Sequence, residues 1–378
     1  MNKLLVVLSL CASAAFAELQ PEPTGVIETL PETWPAHWFI AHDAAFFHMS
    51  DGKLIVLDAD SDDPWARFKG FINASFIGVF VQAKSRPEIY LAETFRSRGA
   101  RGERTDVLTI YDKRTLGPVG EVVLPPKRSS NMPTDYNVQL IDDEKLALIY
   151  NFTPAQSVSV VDVVAREFLA EIPIPGCALA YPMGGRAFSS ICGDGSLLAV
   201  TLGDDGQQTG SSRTEPFFDV ENDPLMEKAV MHNGIAYFPS FLGFMYPVDL
   251  NGSMPVVGDP WSMIGDEEGG WRPGGLQLAA SDASGRLYFL MHPEGREGSH
   301  KDPGVEIWVF DGEAERRVNR IKLSLPAISI AVTRDDSPLL VATNINMEID
   351  VYDASSGEHL RTLGNFGQET PLILREAH

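Results

Sequence analysis

The chain has 378 residues, 44% of them apolar, and a formal net charge of −22. That apolar fraction supports a buried core and excludes a disordered chain, while the length allows one large domain or two ordinary ones. The acidic balance excludes phosphate backbones and anionic membrane surfaces as natural partners, because the chain's field repels them.

Residues 1–17 read as a secretory signal, with Lys3 as the positive start, Leu4 to Cys11 as the apolar stretch and Ala15-Phe16-Ala17 as a small-x-small cleavage site. This predicts a mature, exported chain of residues 18–378 forming a single domain. No later uncharged apolar run approaches the ~20 residues a membrane helix needs. Loss of Cys11 would leave Cys177 and Cys192. In an oxidising compartment such a pair is expected to form a disulfide, stabilising the fold by roughly 3 kcal/mol at this loop length.

Helical periodicity is nearly absent, and the clearest candidate, Asp223 to Val230, spans only about two turns. What recurs instead is a β-rich run ending in aspartate. It occurs at Leu54–Asp58, Val107–Asp112, Val158–Asp162, Leu197–Asp204, Phe244–Asp249, Val305–Asp311 and Ile349–Asp353. Repeats about 40 to 60 residues apart, built as strand, turn and strand, predict an all-β, seven-bladed β-propeller. The aspartates suit Asx turns, in which the carboxylate accepts backbone N–H bonds. Ring closure would tie the segment near residues 40–58 to the last blade. Two stacked sandwiches are the alternative fold.

Between the first two of these runs lies Arg96-Ser-Arg98-Gly-Ala-Arg101-Gly-Glu-Arg104, a cationic island in an acidic protein. Asp58-Ala-Asp60-Ser-Asp62-Asp63 begins like a calcium loop but lacks the glycine at its sixth position and the glutamate at its twelfth. His37, His42 and His48 cluster without a metal-finger spacing, which favours packing or surface hydrogen bonding. Trp261, Trp271 and Trp308 suit the space between blades. The sequence contains no Gly-x-Ser-x-Gly elbow, P-loop or dinucleotide fingerprint. It therefore offers a scaffold without a self-sufficient active site.

Several stretches carry a family resemblance: Leu91-Ala-Glu-Thr-Phe95, Ala100 to Asp106, Leu124-Pro-Pro-Lys-Arg128, Ser157 to Asp162, Ile191-Cys-Gly-Asp-Gly-Ser-Leu197, Gly270-Trp-Arg-Pro-Gly-Gly275 and Met291 to Lys301. Together they resemble the heavy chain of tryptophan tryptophylquinone amine dehydrogenases over most of the mature sequence. The resemblance implies a seven-bladed propeller with one intrachain disulfide, in agreement with Cys177 and Cys192. It implies an α2β2 complex in the periplasm, in which a primary amine is oxidised to an aldehyde and ammonia and electrons pass to a cupredoxin of the azurin or amicyanin type. The quinone cofactor would sit on a small, cysteine-rich light chain, leaving this chain no cofactor, no metal and no catalytic residue of its own.

An ungapped match through Tyr90 and Arg101-Gly102 carries the family's channel-mouth phenylalanine onto Phe76. The basic segment, with Arg98, Arg101 and Arg104, is the candidate docking surface for the light chain. Leu-Pro-Pro-Lys-Arg, Ile-Cys-Gly-Asp-Gly and His-Pro-Glu-Gly-Arg-Glu-Gly resemble the arylalkylamine branch more closely. Trp271-Arg-Pro-Gly-Gly and Ala100-Arg-Gly-Glu-Arg suit the methylamine branch as well. Two competing readings are a free-standing exported propeller serving as a binding platform and a calcium-dependent propeller hydrolase with metal-held water in its axial funnel.

Overall fold

A computed structural model describes residues 29–49, 51–129, 133–367 and 369–377. The signal-like segment lies outside the described residues. Runs such as Leu54-Ile-Val-Leu57 form strands because β-branched and large apolar side chains pack well on a pleated surface. Among the described residues, helix is confined to Pro64–Arg67 and two short 3-10 turns, Asp135–Asn137 and Ser299–Lys301.

All strand ladders of the propeller are antiparallel. One sheet combines Pro371–Glu376, Trp38–Asp43, Asp51–Asp58 and Phe68–Ser75, so both ends of the described chain share a blade and the expected ring closure is present. The next contains Val79–Gln82, Glu88–Arg98, Arg101–Asp112 and Pro118–Leu124. Two further four-stranded sheets span Val138–Pro173 and Cys177–Arg213, and a five-stranded sheet spans Val230–Ser262.

The expected count of seven separate blades is corrected here. Five blades are self-contained, and the strands from Arg272 to Leu363 form one continuous eight-stranded sheet. Its shared member is Arg316–Val332, 17 residues long, which pairs first with Gly304–Asp311 and then with Leu339–Asn344. Ala327 is paired on both sides, with Gly304 and with Asn344. Between Ile321 and Val332 the sequence has Pro326 but no Gly, Asn or Asp to complete a turn, and the strand runs through it, so counting aspartate turns separates what the backbone joins.

Neighbouring sheets bury their faces on each other. Phe39, Ile55 and Leu374 of the first sheet meet Val341 and Val351 of the eight-stranded one, and Ile40, Leu54 and Val56 meet Phe80, Ile89 and Leu91 of the second. Each such side chain, fully buried, contributes about 1.5–3 kcal/mol. Trp308 is wholly buried against Trp271, while Trp261 packs on Phe310. The expected disulfide joins Cys177 to Cys192, which face each other across adjacent strands.

The aspartate turns form as expected. Asp112 accepts from the amides of Arg114 and Thr115, Asp162 from Val164 and Ala165, and Asp353 from Ser355 and Ser356. In the fourth repeat the role falls to Asp205, which takes the Gln207 amide, while Asp204 pairs with Arg186.

At the same end of the ring, His37 joins the closing sheet to the eight-stranded one. Its Nδ1 lies 2.6 Å from Asp60 and its Nε2 3.0 Å from Asp335. Burial acts to lower the imidazole pKa, but the hydrogen bonds and charges of both aspartates outweigh it and hold the value above 6.5. A raised folded-state pKa gives stability that is fully present below the unfolded value and lost as pH rises through the folded one. His37→Gln should therefore lower the melting temperature most near pH ~5.5, by about 2 °C for roughly 1 kcal/mol. Thermal unfolding followed by circular dichroism should show that gap closing as pH rises above neutrality.

Candidate functional site: the Phe76 end of the ring

Strands Trp38–Asp43 and Phe68–Ser75 end on the face opposite the aspartate turns. Asp43 lies opposite Pro371, Asp51 is paired with Ser75, and the Thr94 amide donates to Ser75 Oγ at 3.0 Å. Phe76 sits in the tight turn that leads from this blade into Val79–Gln82, closed by Gly78 N donating to Ser75 O at 3.0 Å. Ile77 adopts φ +50° there, in the left-handed region that β-branched residues avoid. Phe76 is half-buried against an apolar cluster of Ala44, Ile77, Ile328, Leu372 and Ile373, drawn from several blades around the ring axis. The exposed Phe46, Phe47 and Met49 follow Asp43 on this face, and the Phe46 amide is tied to Thr370 Oγ1.

A buried ionic network lies behind the turn. Glu93, fully buried, accepts from the Ser75 amide at 2.8 Å and from Thr109 Oγ1 at 2.6 Å. Desolvation raises its pKa, only partly offset by Thr109, Ser75 and Arg128. Arg128 is 2% exposed. It donates through Nη1 to Ile77 O at 2.8 Å and Ser129 O at 2.9 Å, and through Nε to Thr94 Oγ1 at 3.1 Å. Burial pushes its pKa down to about 10 against the attraction of Asp106. Asp106, also fully buried, takes the Arg128 amide, the Thr94 hydroxyl and a two-pronged contact from Arg104 at 2.7 and 2.8 Å. Glu93 and Arg128 escaped the sequence reading as functional residues; Arg128 entered only as the end of the Leu-Pro-Pro-Lys-Arg stretch.

The basic segment is a hairpin whose two strands, Glu88–Arg98 and Arg101–Asp112, are 11 and 12 residues long. The structure divides its arginines. Arg98 and Arg101 face each other, exposed, at the tip, with exposed Phe95 behind them. Arg104 is turned back onto Asp106 and the carbonyl of Arg128, and serves the network rather than the surface.

The other candidate clusters disperse. Asp60 engages His37, Asp62 pairs with Arg361, Asp63 caps the short helix at Trp65, and Asp58 pairs with Lys69. His42 is buried, its pKa lowered by desolvation to about 4, and His48 meets Glu369. Among the described residues no group of three or more His, Cys, Asp or Glu is placed to hold a metal ion. At the aspartate-turn end, the axis holds a cavity of about 450 Å³ lined by Gln82, Lys84, Asp135, Glu144, Arg334 and Arg375 among others. Arg375 pairs there with Asp135 and Arg334 with Glu376, and Glu144 caps the amides of Lys84 and Ser85.

The profile of the methylamine dehydrogenase heavy chain family matches residues 36–377. The chain is 28% identical to the methylamine dehydrogenase heavy chain of Methylorubrum extorquens over 330 residues, 85% of this chain and 78% of the relative. It is 29% identical to that of Paracoccus versutus over 318 residues, 82% and 74% of the two chains. Among solved structures, a putative 6-phosphogluconolactonase from Bacteroides fragilis is similar in fold, with a TM-score of 0.61 at 9% identity, covering 95% of this chain and 100% of that one. A dihydro-heme d1 dehydrogenase aligns with a TM-score of 0.54 at 15% identity, covering 94% and 78%.

The division of the arginines predicts different costs of removal. Arg104→Ala strips a charged partner from a buried carboxylate and should destabilise the chain by about 2 kcal/mol. Arg98→Ala and Arg101→Ala should stay within about 0.5 kcal/mol of the wild type. Urea unfolding midpoints of the three variants check this.

Proposed function

The chain belongs to the methylamine dehydrogenase heavy chain family, and from that premise we propose how it serves its enzyme. It is the heavy subunit of a quinoprotein amine dehydrogenase, an oxidoreductase whose catalytic quinone is carried, in this family, by a light chain. When that partner is bound, its tryptophan tryptophylquinone would supply the redox chemistry, accepting two electrons as a primary amine and water become aldehyde and ammonia. Phe76 with its apolar collar, beside the exposed Phe46, Phe47 and Met49, would fit the quinone as its wall. The mature chain, cleaved before Glu18, works in the periplasm within an α2β2 assembly that delivers electrons to a cupredoxin.

The observation that carries this reading is the company Phe76 keeps. It stands in an apolar collar at the end of the ring that also presents Phe46, Phe47, Met49 and Phe95 to solvent. The light chain docks on this face, covering the aromatic side chains and meeting the cations of Arg98 and Arg101. A permanent interface of that kind buries well over about 1,000 Å². Phe76 then borders the substrate path, where a rigid ring sorts amines by bulk. The preferred amine is an arylalkylamine, on the strength of the three stretches that resemble that branch. A second reading, methylamine, is favoured by the curated relatives, which are methylamine dehydrogenase heavy chains.

Co-expression with the light chain tests both levels. The purified complex should contain a stoichiometric small chain with visible quinone absorbance, and Phe76→Ala should shift the ratio of kcat/KM for 2-phenylethylamine over methylamine by about tenfold. A heavy chain that purifies alone and never retains a light chain overturns the docking. An unchanged ratio in an assembled Phe76→Ala complex overturns the gating role. The wild-type ratio itself decides between the two amines.

A further inference from the structure

Phe76 is flanked by two backbone groups that are each held by a buried charge of opposite sign. On one side the Ser75 amide donates to Glu93 Oε1, and Ser75 Oγ accepts from the Thr94 amide. On the other, the Ile77 carbonyl accepts from Arg128 Nη1. Ser75, Ile77, Glu93 and Arg128 are all buried, whereas Phe76 itself is half-buried. Ile77 is at φ +50°, a backbone setting that an isoleucine does not hold unaided.

We propose that Glu93 and Arg128 are positioning residues for substrate discrimination, clamping the turn from both sides so that the Phe76 ring keeps one placement at the mouth of the amine path. This rests on the reading that Phe76 borders that path. A scaffold would be served as well by apolar side chains here, since burying charged groups rarely adds net stability. What the charges add is direction, because a guanidinium satisfies three acceptors in one plane and fixes the Ile77 carbonyl relative to Thr94 and Ser129. With the clamp loosened, Ile77 relaxes toward an ordinary extended conformation and the ring swings with it. Selectivity then suffers while the chemistry, which lies on the other chain, does not.

The test uses the assembled complex with Arg128→Lys and Glu93→Gln, each alone and combined with Phe76→Ala. Lysine keeps the positive charge but cannot reach Ile77, Thr94 and Ser129 together; glutamine keeps the shape at Glu93 and serves if the lysine variant does not assemble. Expected is a shift of about tenfold in the kcat/KM ratio for bulky over small amines, falling mainly on KM, with the quinone absorbance of the complex unchanged. The shift should disappear in the Phe76→Ala background, because the clamp acts through that ring. Variants that lower the melting temperature but leave the ratio unchanged overturn the proposal while Phe76 keeps its role. A shift that persists without the Phe76 ring also overturns it. Should Phe76→Ala alone leave the ratio unmoved, the reading beneath the proposal fails first.

Discussion

The pairing of Pro371–Glu376 with Trp38–Asp43 is the interaction on which the ring depends, since it joins strands far apart in sequence and leaves no blade with an open face. Among the described residues the inner edge of that last strand has no strand partner, and a free edge costs unsatisfied backbone groups. Side chains from the flanking sheets fill the deficit. Thr343 donates to the carbonyl of Pro371, Ser329 to that of Leu372, and Gln277 both donates to Leu374 O and accepts from Leu374 N at 2.7 Å. From the other side Gln82 reaches the Glu376 carbonyl at 2.9 Å. Closure is therefore held by directional bonds around the axis as well as by apolar packing between blades. That fixes how the two blades flanking Phe76 sit relative to each other.

The strands were legible because their signals are local: β-branched runs for the ladders, and aspartates whose carboxylates cap the next two amides for the turns. The disulfide was legible because Cys11 falls in the expected signal, which leaves Cys177 only Cys192 as a partner. The blade count was not, because Arg316–Val332 runs as one strand from one repeat into the next, and pairing on both sides of Ala327 is a property of the ring. Arg104, grouped in the sequence with Arg98 and Arg101, turns back onto Asp106, and its spacing of two from that residue puts both side chains on one face of a strand. Phe76 could be singled out only by resemblance, since nothing in its neighbours' composition marks it. Glu93 and Arg128 come from separate segments and meet only in the fold.

The placement of charge follows the same division between frame and function. The carboxylates of Asp112, Asp162 and Asp353 cap turns at the end away from Phe76, where they are solvated and cost little. At the Phe76 end the exposed charge of the hairpin tip is positive, carried by Arg98 and Arg101. In a chain with a net charge of −22, that contrast gives an approaching partner an orientation before contact.

Magnitudes decide whether the Phe76 turn is rigid. A non-glycine residue in the left-handed region carries a penalty of about 1–2 kcal/mol, more for a β-branched one. Left to itself, Ile77 would abandon φ +50° and carry Phe76 with it. A hydrogen bond from a charged donor is worth about 1.5–3 kcal/mol, and the Ile77 carbonyl receives one from Arg128 while the side chain is fully buried in the axial apolar cluster. The two gains together exceed the strain, so the turn has one stable setting. They exceed it because Arg128 is itself held, by Thr94, by the Ser129 carbonyl and by an amide bonded to Asp106, which Arg104 in turn neutralises. A heavy chain whose partner carries the quinone thus sets three of its buried ions, Glu93, Asp106 and Arg128, behind one aromatic ring, and that gives the proposed gate the fixed position it would require.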